Sequence, residues 1–166
     1  MPKALVLGGA TGLLGQALVR VLRQNGWQAA TLGRGDGNLL NLNFLEDRVA
    51  AAGADVVFNA VAWTAVDDAE DHAEEACLLN RTLPDALARV LKSLGNGHLV
   101  HFSTDFVFSG TGETPWKEED PPHPSSVYGC TKLEGEQAVL RVLPERACVL
   151  RTAWLFGPDH YHAPCD

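Results

Sequence analysis

The sequence predicts an α/β protein, a doubly wound parallel sheet with helices on both faces, and three observations carry that prediction. Short apolar runs alternate with stretches of helical period, as strands do when layers of helix cover them. A glycine-rich turn, Gly9 to Gly15, stands between the first apolar run and the first helical stretch. Over 166 residues, 46% apolar and 20% charged side chains suffice for one compact domain with its own core.

The elements follow in order. Lys3–Leu7 reads as a buried strand. From Leu14 the apolar positions Ala17, Leu18, Val21 and Leu22 recur at three- and four-residue spacing, and Asn25-Gly26 stops the helix. Gln28–Leu32 fits a second strand, Phe44–Ala52 a short helix ended by Gly53, and Asp55–Asn59 a third strand. A helical stretch covers Ala73–Leu94 with an interruption at Thr82-Leu83-Pro84. Leu99–Ser103 is a fourth strand, Ser109–Ser126 a long loop, Val127–Val142 a helix and Ala147–Thr152 a fifth strand. Residues 1–156 form the expected domain, and residues 157–166 an irregular tail that leaves a fold unfinished.

Charge and cysteine content narrow the function classes. A formal net charge of -8 opposes a nucleic-acid or anionic-membrane footprint and leaves small-molecule ligands open. Cys77, Cys130, Cys148 and Cys165 form no CxxC pair, so reduced thiols of a cytoplasmic protein are expected. No apolar run approaches the roughly 18 residues of a membrane span. His160, His162 and Cys165 match no standard metal spacing, and no metal is expected. The acidic residues from Asp67 to Glu75 read as a solvated helix start. Cys130 lacks a histidine partner that would make it a nucleophile.

Gly9, Gly12 and Gly15 sit where a dinucleotide-binding turn needs them, between strand and helix. Glycines let backbone N–H groups approach a pyrophosphate, and the positive end of the following helix favours its charge. Beyond the second strand, Arg34 favours the 2′-phosphate of NADPH or tolerance of both cofactors, with Asp36 close by and a solvated arginine as the competing reading.

Tyr128 and Lys132 form a YxxxK pair at the start of a predicted helix, one turn apart on one face. An ammonium near a phenol stabilises the phenolate, so Lys132 is expected to lower the tyrosine's pKa and make it a proton donor to a carbonyl. Thr104, at the carboxyl end of the fourth strand, can hydrogen-bond the same oxygen.

The GxxGxxG turn and the Thr104, Tyr128, Lys132 set resemble the extended short-chain dehydrogenase/reductase superfamily, which implies a Rossmann-like fold. Four blocks further resemble the dTDP-4-dehydrorhamnose reductase family: NAVAWTAVDDAE at 59–70, HFSTDFVFSGTGETPWKEED at 101–120, VYGCTKLEGE at 127–136 and LRTAWLFG at 150–157. The resemblance implies NADPH- or NADH-dependent reduction of the 4-keto group of dTDP-4-dehydro-L-rhamnose to dTDP-L-rhamnose. It implies catalytic Thr104, Tyr128 and Lys132, and cofactor contacts from Gly9, Gly12, Leu13, Leu14, Gly15, Ala62, Trp63 and Thr64. Asn41 and Leu42 would lie near the adenine, although the family often has Asp at Asn41. Thr104, Asp105 and Trp154 would meet the nucleotide-sugar, with a core aromatic as the competing reading of Trp154.

Family members continue past the LRTAWLFG block into a sugar-binding part, on the order of 100 residues by ordinary domain sizes. A chain ending early is therefore expected to have doubtful activity. A homodimer is left open. Two alternatives remain: a nucleotide-sugar epimerase or dehydratase, and a non-catalytic NADP-binding subunit resembling the methionine adenosyltransferase beta subunit. Dehydratases usually carry Asp-Glu after the threonine, whereas Asp105-Phe106 stands here.

Overall fold

A computed structural model describes residues 1–111 and 114–157, so His160, His162, Cys165 and the tail from residue 158 lie outside the described residues. Five strands, β1 (Lys3–Leu7), β2 (Gln28–Leu32), β3 (Val56–Asn59), β4 (His98–Thr104) and β5 (Ala147–Thr152), form one sheet in the order β2-β1-β3-β4-β5. Every pairing is parallel. The chain runs outward from β1 to β2, then returns to place β3 on the other side, the reversal that opens a crevice at the carboxyl ends of doubly wound sheets.

The helices are α1 (Leu13–Gln24), α2 (Leu42–Ala52), the short α3 (Asp68–Asp71) and α4 (Ala73–Cys77), α5 (Leu83–Leu94) and α6 (Val127–Val142). Each boundary has a local cause. Asn41 caps α2 by accepting a hydrogen bond from the Phe44 amide at 3.2 Å, and Gly53 ends that helix at φ 51°. Ser126 caps α6 by accepting from the Gly129 amide at 3.1 Å. Among the described residues no helix is long and apolar enough to cross a membrane.

The expected interruption at Thr82-Leu83-Pro84 takes a different form. The backbone stays right-handed helical from Cys77 through Leu83, and a π-helical turn at Leu78–Thr82 joins α4 to α5. Pro84 falls in the first turn of α5, where its missing N–H costs least.

Side chains alternate between the two faces of the sheet. On one face Leu5, Leu7, Leu32, Val57 and Leu99 join Leu45, Val49, Leu87, Leu91 and Val139 in the main core, covered by α2, α5 and α6. The opposite face receives α1, whose Val19 is buried, as are Ala4 and Val6 of β1. Farther along it, Val56, Phe58, Val100 and Phe102 are half-buried, and Cys148 and Leu150 of β5 are exposed.

Candidate active site

In-register rows across the main-core face change character toward the carboxyl ends of the strands. Leu5, Val57 and Leu99 form an apolar row, Leu7, Asn59 and His101 the next, and Ser103 pairs with Arg151 beyond them. The buried core thus becomes polar where a cleft of about 450 Å³ begins. The cleft runs from Gly12, Leu13 and Leu14 past Ala62 and Thr64 to Thr104, Asp105, Tyr128, Lys132 and Trp154.

The glycine turn has two jobs. At Gly9 a Cβ would lie 2.8 Å from Thr31 Cγ2, and at Gly15 only 2.3 Å from the Gly8 carbonyl oxygen, so these two let α1 pack onto the strands. Gly12 heads α1 without a side-chain cap and lines the cleft beside Leu13 and Leu14, leaving the helix's positive end toward the opening. Gly8, unremarked in the sequence, holds φ 79° and packs where a Cβ would meet the Ala60 carbonyl oxygen at 3.1 Å. The left-handed angle suits glycine alone among easy choices.

Arg34 and Asp36 separate in role. Asp36 Oδ2 accepts from the Gly33 amide at 2.9 Å, which closes the turn after β2, while Arg34 is exposed at its tip. Neither these two nor Asn41 and the 60% exposed Leu42 line the cleft. Trp63 also lies off the cleft wall, packed against Ala69, Ala76 and Tyr128, with its ring 5.7 Å from His72. Its backbone is what the site uses: the Trp63 amide donates to Asn80 Oδ1 at 2.9 Å, and Asn80 Nδ2 donates to the Trp63 carbonyl at 3.2 Å and to Thr131 Oγ1 at 3.1 Å. Asn80, fully buried in the π-helical turn, therefore ties the Ala62–Thr64 segment to α6.

Tyr128 and Lys132 stand one turn apart at the start of α6, 9% and 2% exposed. Thr104 Oγ1 donates to Asp105 Oδ1 at 3.1 Å and accepts from the Phe106 amide at 3.2 Å. Burial raises the Tyr128 pKa above the ordinary tyrosine value; a hydrogen bond with Thr104 works the other way, and the Asp105 charge adds to the rise. The lowering expected from Lys132 is not among these influences, and the net direction is upward. Lys132 Nζ donates to the Phe102 carbonyl at 2.5 Å, and burial pushes its pKa down to about 8, partly offset by Glu136. His101 is fully enclosed, its Nδ1 3.1 Å from Asn59 Nδ2, and burial followed by the nearby Lys132 charge pushes it down to about 3. It stays neutral.

Sequence reading missed Asn59, Asn80, His101, Ser103, Glu136 and Arg151. Two had a visible signal: Glu136 repeats the four-residue step from Lys132, and Asn80 stands four residues before Pro84. The others acquire their meaning only when β3, β4 and β5 come into register.

A crevice at the carboxyl edge of a doubly wound parallel sheet, walled by Thr104, Tyr128 and Lys132, defines a protein of the Rossmann-like α/β class. The sequence profile described as the RmlD substrate binding domain matches residues 3–163, and the chain belongs to that family. It is 42% identical over 156 residues to a dTDP-4-dehydrorhamnose reductase of Streptomyces griseus, covering 94% of this chain and 51% of that protein. Among solved structures, a dTDP-4-dehydrorhamnose reductase from Clostridium acetobutylicum superposes with TM-score 0.88 at 33% identity, over 96% of this chain and 56% of that one. Its counterpart from Bacillus anthracis, solved in complex with NADP, gives TM-score 0.87 at 26% identity, over 94% of this chain and 55% of that one. The chain spans about half the length of the curated relatives it matches.

Proposed function

We propose that this chain is the cofactor-binding and proton-transfer portion of an NADPH- or NADH-dependent oxidoreductase that reduces the 4-keto group of a dTDP-linked deoxysugar, dTDP-4-dehydro-L-rhamnose, to dTDP-L-rhamnose. The observation that carries this reading is one continuous cleft joining the Gly12–Leu14 turn to Thr104, Tyr128 and Lys132. The residues fit a dinucleotide: the uncapped start of α1 suits a pyrophosphate, and the exposed Arg34, with Asp36 occupied by its own turn, suits a 2′-phosphate. Gly9, Gly12 and Gly15 shape that turn, Ala62 and Thr64 wall the cleft, and Trp63 fixes their backbone, while Asn41, the cap of α2, and Leu42 lie off the cleft. When bound, the dinucleotide supplies the hydride.

The remaining chemistry belongs to this chain. Burial keeps the Tyr128 hydroxyl protonated near neutral pH, so it can give its proton to the carbonyl oxygen as negative charge develops there. The Thr104 hydroxyl orients the same oxygen, while the Lys132 ammonium, one turn along α6 in the same cleft, stabilises the phenolate that remains. Asp105 and the 85% exposed Trp154 stand at the cleft wall to meet the nucleotide-sugar. Free Cys77, Cys130 and Cys148 agree with a cytoplasmic location.

The test is NADPH oxidation by the full-length protein with dTDP-4-dehydrorhamnose, beside its Tyr128→Phe variant. We expect turnover in the first and a loss of about 10²- to 10⁴-fold in the second. Tight NADPH binding without turnover would overturn the reductase reading and favour a regulatory subunit.

A further inference from the structure

We propose that Glu136 and Arg151 are positioning residues for the proton-transfer centre: a guanidinium clamp holds the Glu136 carboxylate one turn beyond Lys132, where it keeps the buried lysine a cation without drawing it away from the Phe102 carbonyl. The pair is built with unusual completeness. Arg151 Nε donates to Glu136 Oε1 at 3.0 Å and to Oε2 at 3.2 Å, and Nη2 donates to Oε2 at 2.7 Å. The Glu136 side chain is 3% exposed and that of Arg151 24%. Nη1 reaches the Glu118 carbonyl at 3.4 Å, and the guanidinium lies 5.0 Å from the centre of the Phe108 ring, which stacks on Trp116 at 4.9 Å. Arginine is therefore fixed from three sides.

A buried ion pair is weak evidence for stability, because desolvation offsets much of the attraction. Position gives this one a use. Tyr128, Lys132 and Glu136 follow at four-residue steps on one stripe of α6. A 2% exposed ammonium with only a backbone carbonyl for company would release its proton readily, and Glu136 is the group that opposes this. An unclamped carboxylate at that spacing would instead take Lys132 Nζ as a direct partner. Because Arg151 occupies both carboxylate oxygens, Lys132 is left to the Phe102 carbonyl. The groups around Lys132 are Tyr128 and Glu136 on its own helix, His101 on β4, Asp105 in the turn after β4, and Arg151 on β5 behind Glu136. His101, neutral, adds no charge of its own.

The inference rests on the reductase reading for its purpose, but its test does not need turnover. Lysine Cε NMR titration of the full-length protein, with Lys132→Met to assign the signal, should give a wild-type midpoint near 8. In Glu136→Gln the midpoint should fall by about one pH unit or more, and Glu136→Asp should restore most of it. An unmoved midpoint in folded Glu136→Gln overturns the proposal. Should that variant fail to fold, Glu136→Met with Arg151→Met replaces the pair by apolar side chains; the midpoint should again fall, by less because the guanidinium charge goes too, and an unmoved midpoint overturns the proposal. The alkaline limb of the kcat/KM profile should move with the midpoint, a readout that a merely structural pair would leave in place. A wild type without turnover would sink the reductase reading and still leave the titration to judge the clamp.

Discussion

On the face covered by α2, α5 and α6, Leu87 and Leu91 are enclosed among strand and helix side chains, and the polar residues of the site stand directly above them. On the face that receives α1, Val100 and Phe102 are half-buried and Leu150 is 42% exposed. The difference teaches how stability and chemistry are divided. Helix α6 closes the main core with Val139 and Val142 and carries Tyr128, Lys132 and Glu136 on the same sixteen residues. Tyr128, Lys132 and Glu136 therefore stand on a helix anchored in the main core, while α1 supplies the glycine turn and little of the main packing.

The largest effect expected from this contrast is pH-dependent. His101 has a folded pKa of about 3 against an ordinary 6.5, so the unfolded chain takes up a proton before the folded one does. Stability should fall as pH drops from 6.5 toward 3, by on the order of 4 kcal/mol from this group. Denaturant unfolding at several pH values should give a shallower slope for His101→Gln, and equal slopes would break the assignment. Next, Leu87→Ala in the enclosed face should lower the unfolding free energy by about 2–5 kcal/mol. The smallest effect belongs to Leu150→Ala, within about 0.5 kcal/mol in this chain. Urea melts of the last two variants test the contrast directly, and similar losses would show that the two faces are equally well packed.

Much of the fold is legible in the sequence because its signals are local. The strand runs, the glycine turn and the amphipathic repeat of α5 each occupy a single continuous stretch, and all five strands fall within two residues of their expected bounds. Tyr128 and Lys132 are legible for the same reason. The pairing of Arg151 with Glu136 is not, because fifteen residues separate them and only the return of β5 alongside β4 brings them together. The asymmetry of the faces is likewise hidden: the apolar run of β5, ACVLRT, gives no sign that Cys148 and Leu150 stay open. The backbone bonds of Trp63 are hidden as well, since Asn80 meets them from seventeen residues away.

The π-helical turn at Leu78–Thr82 sets a fixed length in the chain. A π-helical turn holds one residue more than an α-helical turn, so removing one there would let it close to α-helical pitch and move Asn80 out of its place on the turn. Asn80 would swing away from Trp63 and Thr131, and the Asn80 carbonyl would leave the contact that admits only glycine at Gly135, where a Cβ would come within 2.1 Å. Substitutions along this stretch test individual contacts; a deletion of one residue tests phase. Leu78–Thr82 is thus a place where the protein can change its letters far more easily than its count.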